Sequence, residues 1–130
     1  MELVGAGLVI HQVELVGLAR ELDPTFAGEV YRIAIEALRN SFQHAEARHI
    51  KVEIHYGEKE FRVLIRDDGK GIDSKFLSGE GLKGHYGLHG MRERTKLIGS
   101  ELVIRSEVGA GTEVELRVAA ITAYAPVASS

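Results

Sequence analysis

Residues 50–73 read "IKVEIHYGEKEFRVLIRDDGKGID". Ile50, Val52, Ile54 and Tyr56 alternate with Lys51, Glu53 and His55, and after Gly57-Glu58-Lys59 the same period resumes in Phe61, Val63 and Ile65. Alternation in twos sends one set of side chains to one side of a strand, so the segment predicts a hairpin with a single buried face. Its second strand runs into two adjacent carboxylates, Asp67 and Asp68, and then into Gly69 and Gly71. Glycines at such a turn let a backbone shape itself around a ligand, and the usual candidate is a phosphate. Adjacent carboxylates repel phosphate. Either the turn is ordinary loop chemistry or its carboxylate reads another part of the ligand.

Outward from the hairpin, Asp23 and Pro24 read as an N-cap followed by proline at the first helical position. Phe26, Val30, Ile33, Ala34, Ala37, Leu38 and Ser41 then recur at spacings of three and four, which predicts one long helix to about His44 with these residues along its buried stripe. Residues 8–18 are rich in Val, Ile and Leu and predict an early strand at a sheet edge. Downstream, residues 68–86 are glycine-rich and predict a long mobile loop. Leu88, Met91 and Ile98 mark a second helix from Gly87 to Ile98, with Gly99 placed to end it. Leu102 and Ile104 on one strand and Val114, Leu116 and Val118 on the next form a final hairpin through "EVGAGT", and the tail "AYAPVASS" is expected to fray. The fold class that follows is an α/β (α+β) two-layer sandwich, a mixed and mostly antiparallel sheet with helices on one face. One domain is expected over 1–130, with its core at about 9–118 and a tail at 119–130.

Composition narrows the function. The chain has 130 residues, 45% of them apolar, enough for one core. A net charge of −3 gives no broad basic field for nucleic acid or an anionic membrane, so neither partner is expected. The absence of cysteine excludes disulfides and thiolate chemistry. The longest apolar run, Leu3 to Ile10, is too short to span a bilayer.

The long helix carries a second stripe. Glu36, Asn40 and Gln43 fall in one narrow sector beside the apolar one, and His44 lies where the two meet. A solvated helix face explains any one of these residues. Taken together, an amide oxygen and a carboxylate one turn apart are hard donors of the kind Mg²⁺ accepts, with Asn40 binding directly and Glu36 orienting a water. Two further glycine segments, "GHYGLHGM" (84–91) and "GAGTEV" (109–114), place Gly87 at the start of the second helix, where free N–H groups favour an anion. Neither a Walker A loop nor a dinucleotide fingerprint fits: His85 follows Gly84 where lysine is needed, and Ser74 replaces the third glycine after Gly69 and Gly71.

"EALRNSFQHA" (36–45), "DDGKGI" (67–72), "GHYGLHGM" and "GTEV" (111–114), in this order, resemble the N, G1 and G2 boxes and terminal Gly-Thr of the Bergerat-fold (GHKL) ATPases. The run "GLHGMRERTKLIGSELVIRSEVGAGTEVELRV" is most similar to the ATP-binding catalytic domain of two-component sensor histidine kinases paired with LuxR-type response regulators. The resemblance covers roughly residues 9–118 and implies ATP and Mg²⁺ as ligands and a cytoplasmic location. It implies that Asp67 accepts from the exocyclic amine of adenine, which resolves the opening question because the carboxylate then faces the base. An ionised carboxylate only accepts, so it favours adenine over guanine. On the same resemblance Gly69 and Gly71 let the turn pass close to the purine and Ile72 packs on it. Asn40 holds the metal, Glu36 polarises water or assists phosphoryl transfer, and Gln43 and His44 lie near the ribose and phosphates. Gly84, His85, Gly87 and Leu88 close over the triphosphate, and Thr112 supports Asp67 through a shared water. Asp68 is expected to point to solvent.

This sequence departs from the family pattern at several points. Gln43 stands where related kinases often carry lysine, leaving charge neutralisation to His44, Arg39 or Lys83, and no phenylalanine-rich box is evident beyond Phe76. The histidine-bearing dimerisation domain that such kinases phosphorylate is expected outside this chain, since only about eight residues precede the first strand. His85 and His89 are four apart, but no third zinc ligand accompanies them, and "MRERTK" reads as a charged helix face. Two other functions compete with the kinase: a non-catalytic, anti-sigma-like nucleotide-binding or interaction module, and a gyrase-like ATP-driven machine, for whose transducer the chain has no room.

Overall fold

The computed structural model describes residues 4–5, 8–43, 47–73, 77 and 87–126. A two-residue strand, β1 (Val4–Gly5), and a ten-residue strand, β2 (Leu8–Gly17), are followed by helix α1 (Pro24–Gln43) and the hairpin β3 (His49–Tyr56) and β4 (Glu60–Asp67). Helix α2 (Leu88–Leu97) leads to β5 (Glu101–Glu107) and β6 (Gly111–Ala119), and a helical turn, Ala120–Ala123, follows. The six strands form one sheet in the order β1-β2-β3-β4-β6-β5. β2 and β3 are parallel and all other pairs are antiparallel, with α1 as the crossover that a parallel pair requires. β2 is one strand in from the edge, because β1 pairs with its outer side at Val9 and Leu8; the sequence alone had suggested an edge strand.

The period-two pattern decides which face is buried. Phe61, Val63 and Ile65 of β4 and Val114, Leu116 and Val118 of β6 share one core with Phe26, Val30, Ile33 and Ala37 of α1 and Leu88 and Met91 of α2. The intervening residues pave the opposite face with ion pairs. Arg66 reaches Glu53 at 2.7 Å and Glu113 at 2.9 Å, and Arg105 bridges Glu113 and Glu115 at 2.8 and 3.2 Å.

Local signals set the helix ends. Asp23 Oδ2 accepts from the Phe26 amide at 3.0 Å, capping α1 as its sequence predicts. At the far end of α2, Gly99 N donates to Lys96 O and Ser100 N to Thr95 O, the paired bonds of a Schellman stop. The start of the tail departs from the expected fraying, while residues 127–130 lie outside the described residues. Ala123 is fully buried, Tyr124 is 5% exposed, and the Tyr124 hydroxyl donates to Gly57 O at 2.7 Å, so the chain is tied down to that point by an aromatic residue that a small, polar tail would lack. Among the described residues, no helix is long and apolar enough to cross a membrane.

Candidate functional site

The C-terminal half of α1 lies over the end of β4, and between them lies a narrow cleft of about 10 Å3, room for about one water. Ala37, Ile65, Ile72, Leu88 and Val114 give it apolar walls, while Asn40, Ser41, Asp67 and Thr112 are its polar groups. Few polar groups in an apolar slot is the composition expected of a small-molecule site.

Asp67 is the last residue of β4 and sits opposite Thr112 of β6 in the strand register. Its carboxylate is held on both sides: Oδ2 accepts from Ser41 Oγ at 2.7 Å and Oδ1 from the Gly69 amide at 2.9 Å. The turn after Asp67 and the glycine segment at residues 109–114 meet beside it. Gly109 N donates to Lys70 O at 2.7 Å and Ile72 N to Ser106 Oγ at 2.7 Å, docking the 68–72 turn on the β5–β6 connection. Gly71 allows this approach: its φ is +79°, and a Cβ there would collide with the Glu107 carbonyl oxygen.

Ser106 joins the turn to Thr112. Its Oγ is 2.7 Å from Ile72 N, 2.9 Å from Gly111 O and 2.8 Å from Thr112 Oγ1. A hydroxyl has one proton and two lone pairs, so one assignment satisfies all three contacts: Ser106 donates to Gly111 O and accepts from Ile72 N and Thr112 Oγ1. Thr112 then keeps its lone pairs for an approaching donor.

Asp68 is exposed, as expected, but it is also bonded to the start of β3. Its side chain is about half exposed (47%), yet Oδ1 accepts from the Arg48 and His49 amides at 2.8 and 2.9 Å and Oδ2 lies 2.8 Å from His49 Nδ1. Desolvation pushes its carboxyl up, but the His49 and Arg48 hydrogen bonds and the imidazole charge outweigh it and hold the pKa down at about 2. The three donors at the start of β3 hold it while it stays open to solvent, so of two neighbouring carboxylates one serves the cleft and the other a strand junction.

Glu36 and Gly87 belong to an adjoining groove between α1 and α2, lined also by Tyr31, Arg39 and Met91. Glu36 Oε2 is 3.2 Å from Arg39 Nη1, and its carboxyl group packs against Gly87, whose φ of +63° and missing Cβ leave it room. The N-terminus of α2 therefore faces a carboxylate of the protein itself, a favourable placement for the helix dipole.

The structure thus gathers Asn40, Asp67, Gly71, Ile72, Leu88 and Thr112 into one cleft, with Gly69 bonded behind Asp67, and places Glu36 and Gly87 next door. His44, Gly84 and His85, with Lys83 and Phe76, lie outside the described residues, as does the side chain of Gln43. Sequence reasoning missed Ser41 and Ser106. The signal was a hydroxyl at an inward position of an otherwise apolar period: Ser41 after Ala37, and Ser106 after Leu102 and Ile104.

A wider depression of about 390 Å3 lies on the open face of the sheet by Arg66 and Arg105. Both cations are already engaged by Glu53, Glu113 and Glu115, so it offers an anion little free charge.

Residues 27–121 match the family described as histidine kinase-, DNA gyrase B- and HSP90-like ATPases. The chain belongs to this ATPase family. Domains of this family bind ATP, and the relatives of this chain are sensor histidine kinases. It is 34% identical over 120 residues to the sensor histidine kinase YdfH of Bacillus subtilis, an alignment covering 85% of this chain and 29% of YdfH. It is 39% identical over 85 residues to the signal transduction histidine-protein kinase/phosphatase DegS of Brevibacillus brevis, covering 65% of this chain and 21% of DegS. The chain thus spans less than a third of the length of either relative. Among solved structures, the histidine kinase domain of the Erythrobacter litoralis blue-light activated histidine kinase superposes with a TM-score of 0.65 at 23% identity, over 88% of this chain and 55% of that one. The catalytic domain of histidine kinase ThkA gives 0.63 at 17% identity, over 83% of this chain and 76% of that one. At these identities the superpositions support the fold alone, which is the two-layer arrangement expected from the sequence.

Proposed function

We propose that the chain holds Mg-ATP as the nucleotide-binding half of a cytoplasmic protein histidine kinase. It presents the γ-phosphoryl to a histidine on a separate helical dimerisation domain, with a LuxR-type response regulator downstream. The observation that carries this reading is the Asp67 carboxylate, an acceptor fixed at the polar end of an apolar cleft. On this reading a purine parts the narrow slot between Ile72, Leu88 and Val114 as it enters, and its exocyclic amine donates to Asp67. Thr112, its own proton given to Ser106, accepts from a water beside the base.

Asn40 fits a divalent ion by donor chemistry. It lines the same cleft and carries a hard amide oxygen, and a site that keeps waters and phosphate oxygens needs only one or two protein ligands. Among the described residues no cluster of three or more His, Cys, Asp or Glu offers a self-sufficient metal cage. The ion, when bound, neutralises charge on the triphosphate. Glu36, one turn earlier on α1, is positioned by Arg39 and Gly87 to orient the attacking imidazole or a water. On this reading the start of α2 at Gly87 and Leu88 adjoins the phosphates, and the family resemblance assigns Gln43, His44, Gly84 and His85 to the same end.

The test is a calorimetric titration with ATP and GTP, with and without Mg²⁺, on the wild type, Asp67→Asn and Asn40→Ala. ATP is expected to bind more tightly than GTP, Asp67→Asn to lose most of that preference, and Asn40→Ala to lose the Mg²⁺ dependence. Added histidine-bearing domain should be phosphorylated by the wild type and not by Asn40→Ala. Equal binding of ATP and GTP by the wild type would refute the base assignment, and full-rate transfer by Asn40→Ala would refute the metal assignment.

A further inference from the structure

We propose that Ser41 sets the base selectivity of the cleft by clamping the Asp67 carboxylate in one orientation; the inference rests on the nucleotide reading above. Ser41 closes the buried stripe that runs through Phe26, Val30, Ile33 and Ala37, and it is itself 2% exposed. A hydroxyl buried there is costly unless it is hydrogen-bonded. Two acceptors are within reach, Ala37 O at 3.4 Å and Asp67 Oδ2 at 2.7 Å. The shorter bond to a charged acceptor is the stronger, so the proton is committed to Asp67.

Helix α2 supplies an internal control. Thr95 is also a buried helical hydroxyl, at 3% exposure, and it donates to the carbonyl four residues back, Met91 O, at 2.7 Å. A hydroxyl with only its own burial to satisfy takes that bond. Ser41 has the same option at 3.4 Å and takes the carboxylate across the cleft, so its placement serves Asp67.

The clamp has a second jaw. Gly69 N donates to Asp67 Oδ1 at 2.9 Å while Ser41 holds Oδ2, so rotation of the carboxylate about its Cβ–Cγ bond breaks at least one of the two bonds. The lone pairs left over point in fixed directions within apolar walls. A base edge carrying N–H gains a charge-assisted bond there; one carrying a carbonyl oxygen sets lone pair against lone pair with no water to relieve it. A carboxylate free to swing would turn away from a mismatched base and blunt that penalty. Ser41 is therefore a positioning residue whose loss reduces discrimination as well as affinity.

The experiment measures ATP and GTP dissociation constants, with Mg²⁺, for the whole chain as wild type, Ser41→Ala, Ser41→Thr, Asp67→Asn and the Ser41→Ala/Asp67→Asn double variant, beside thermal midpoints of the unliganded proteins. Ser41→Ala is expected to reduce the ATP-over-GTP preference by about five- to tenfold. Ser41→Thr, which keeps the hydroxyl, is expected to retain the preference. In the double variant Ser41→Ala should add no further loss, because its effect passes through Asp67. A purely structural serine would lower the thermal midpoint and leave the preference untouched, and that result overturns the proposal. Losses that multiply in the double variant overturn it as well. A wild type without ATP preference would sink the nucleotide reading and the clamp together, whereas a wild-type preference that Ser41→Ala leaves intact sinks the clamp alone.

Discussion

Helix α1 and strand β4 meet twice, and the two meetings differ in kind. Near their starts, Phe26 stands edge-on to Phe61 with ring centroids 5.8 Å apart at 81°, and Tyr56 and Tyr124 pack on Phe61 at 5.4 and 6.2 Å. Near their ends, Ser41 donates to Asp67 at 2.7 Å beside the narrow cleft. The first end is dry and aromatic, and Phe61 is 2% exposed. The second is polar and lines the candidate site. One helix on one strand thus supplies both the lock of the core and the wall of the site. Their separation along the same pair of elements leaves the polar end free to spend its hydrogen bonds on recognition.

The largest effect should come from breaking the aromatic end. Phe61→Ala is expected to cost about 3–5 kcal/mol in urea unfolding. The ATP-over-GTP preference of the protein that remains folded should stay at the wild-type value, and a preference that fell with stability would show that the two ends are not separable. Tyr124→Phe tests the same end more gently. It removes only the bond to Gly57 O and should cost about 1 kcal/mol by the same unfolding measurement.

The smallest effect sharpens the contrast between the neighbouring carboxylates at the other end. Asp68 is depressed from 3.8 to about 2 in the folded chain, so its stabilisation is present in full above pH 3.8 and is lost as pH falls through about 2. With the side chain about half exposed, Asp68→Asn should cost under about 1 kcal/mol near neutral pH. The gap to wild type should hold down to about pH 4 and close towards pH 2 in urea unfolding followed across pH. A gap that widened on acidification would contradict the sign, and a lost nucleotide preference would contradict the division of labour with Asp67.

Local period carried much of this structure in the sequence. The alternation across residues 50–65 and the three-four spacing from Phe26 to Ser41 are each set within a few residues, and both appear where they were expected. So do the capping Asp23 and the turn that ends α2 at Gly99. The parallel pairing of β2 with β3 was not legible, because which strand lies beside which is decided by how α1 packs, not by either strand's own pattern. Ser41 and Ser106 were hidden for a related reason: a small hydroxyl suits an apolar stripe, and its partners, Asp67 and Ile72, stand 26 and 34 residues away. Tyr124 sat in a tail whose composition suggested fraying, but its partner Gly57 lies 67 residues back in the chain. The cleft itself was foreshadowed by glycines and carboxylates in order, which mark close backbone approach wherever they fall.

The most direct measurement is a crystal structure of the chain with Mg²⁺ and a non-hydrolysable ATP analogue. The account predicts the adenine between Ile72, Leu88 and Val114, its exocyclic amine within hydrogen-bond distance of the Asp67 carboxylate. A base bound instead on the open face by Arg66 and Arg105, or in the groove beside Glu36, with Asp67 untouched, would contradict it.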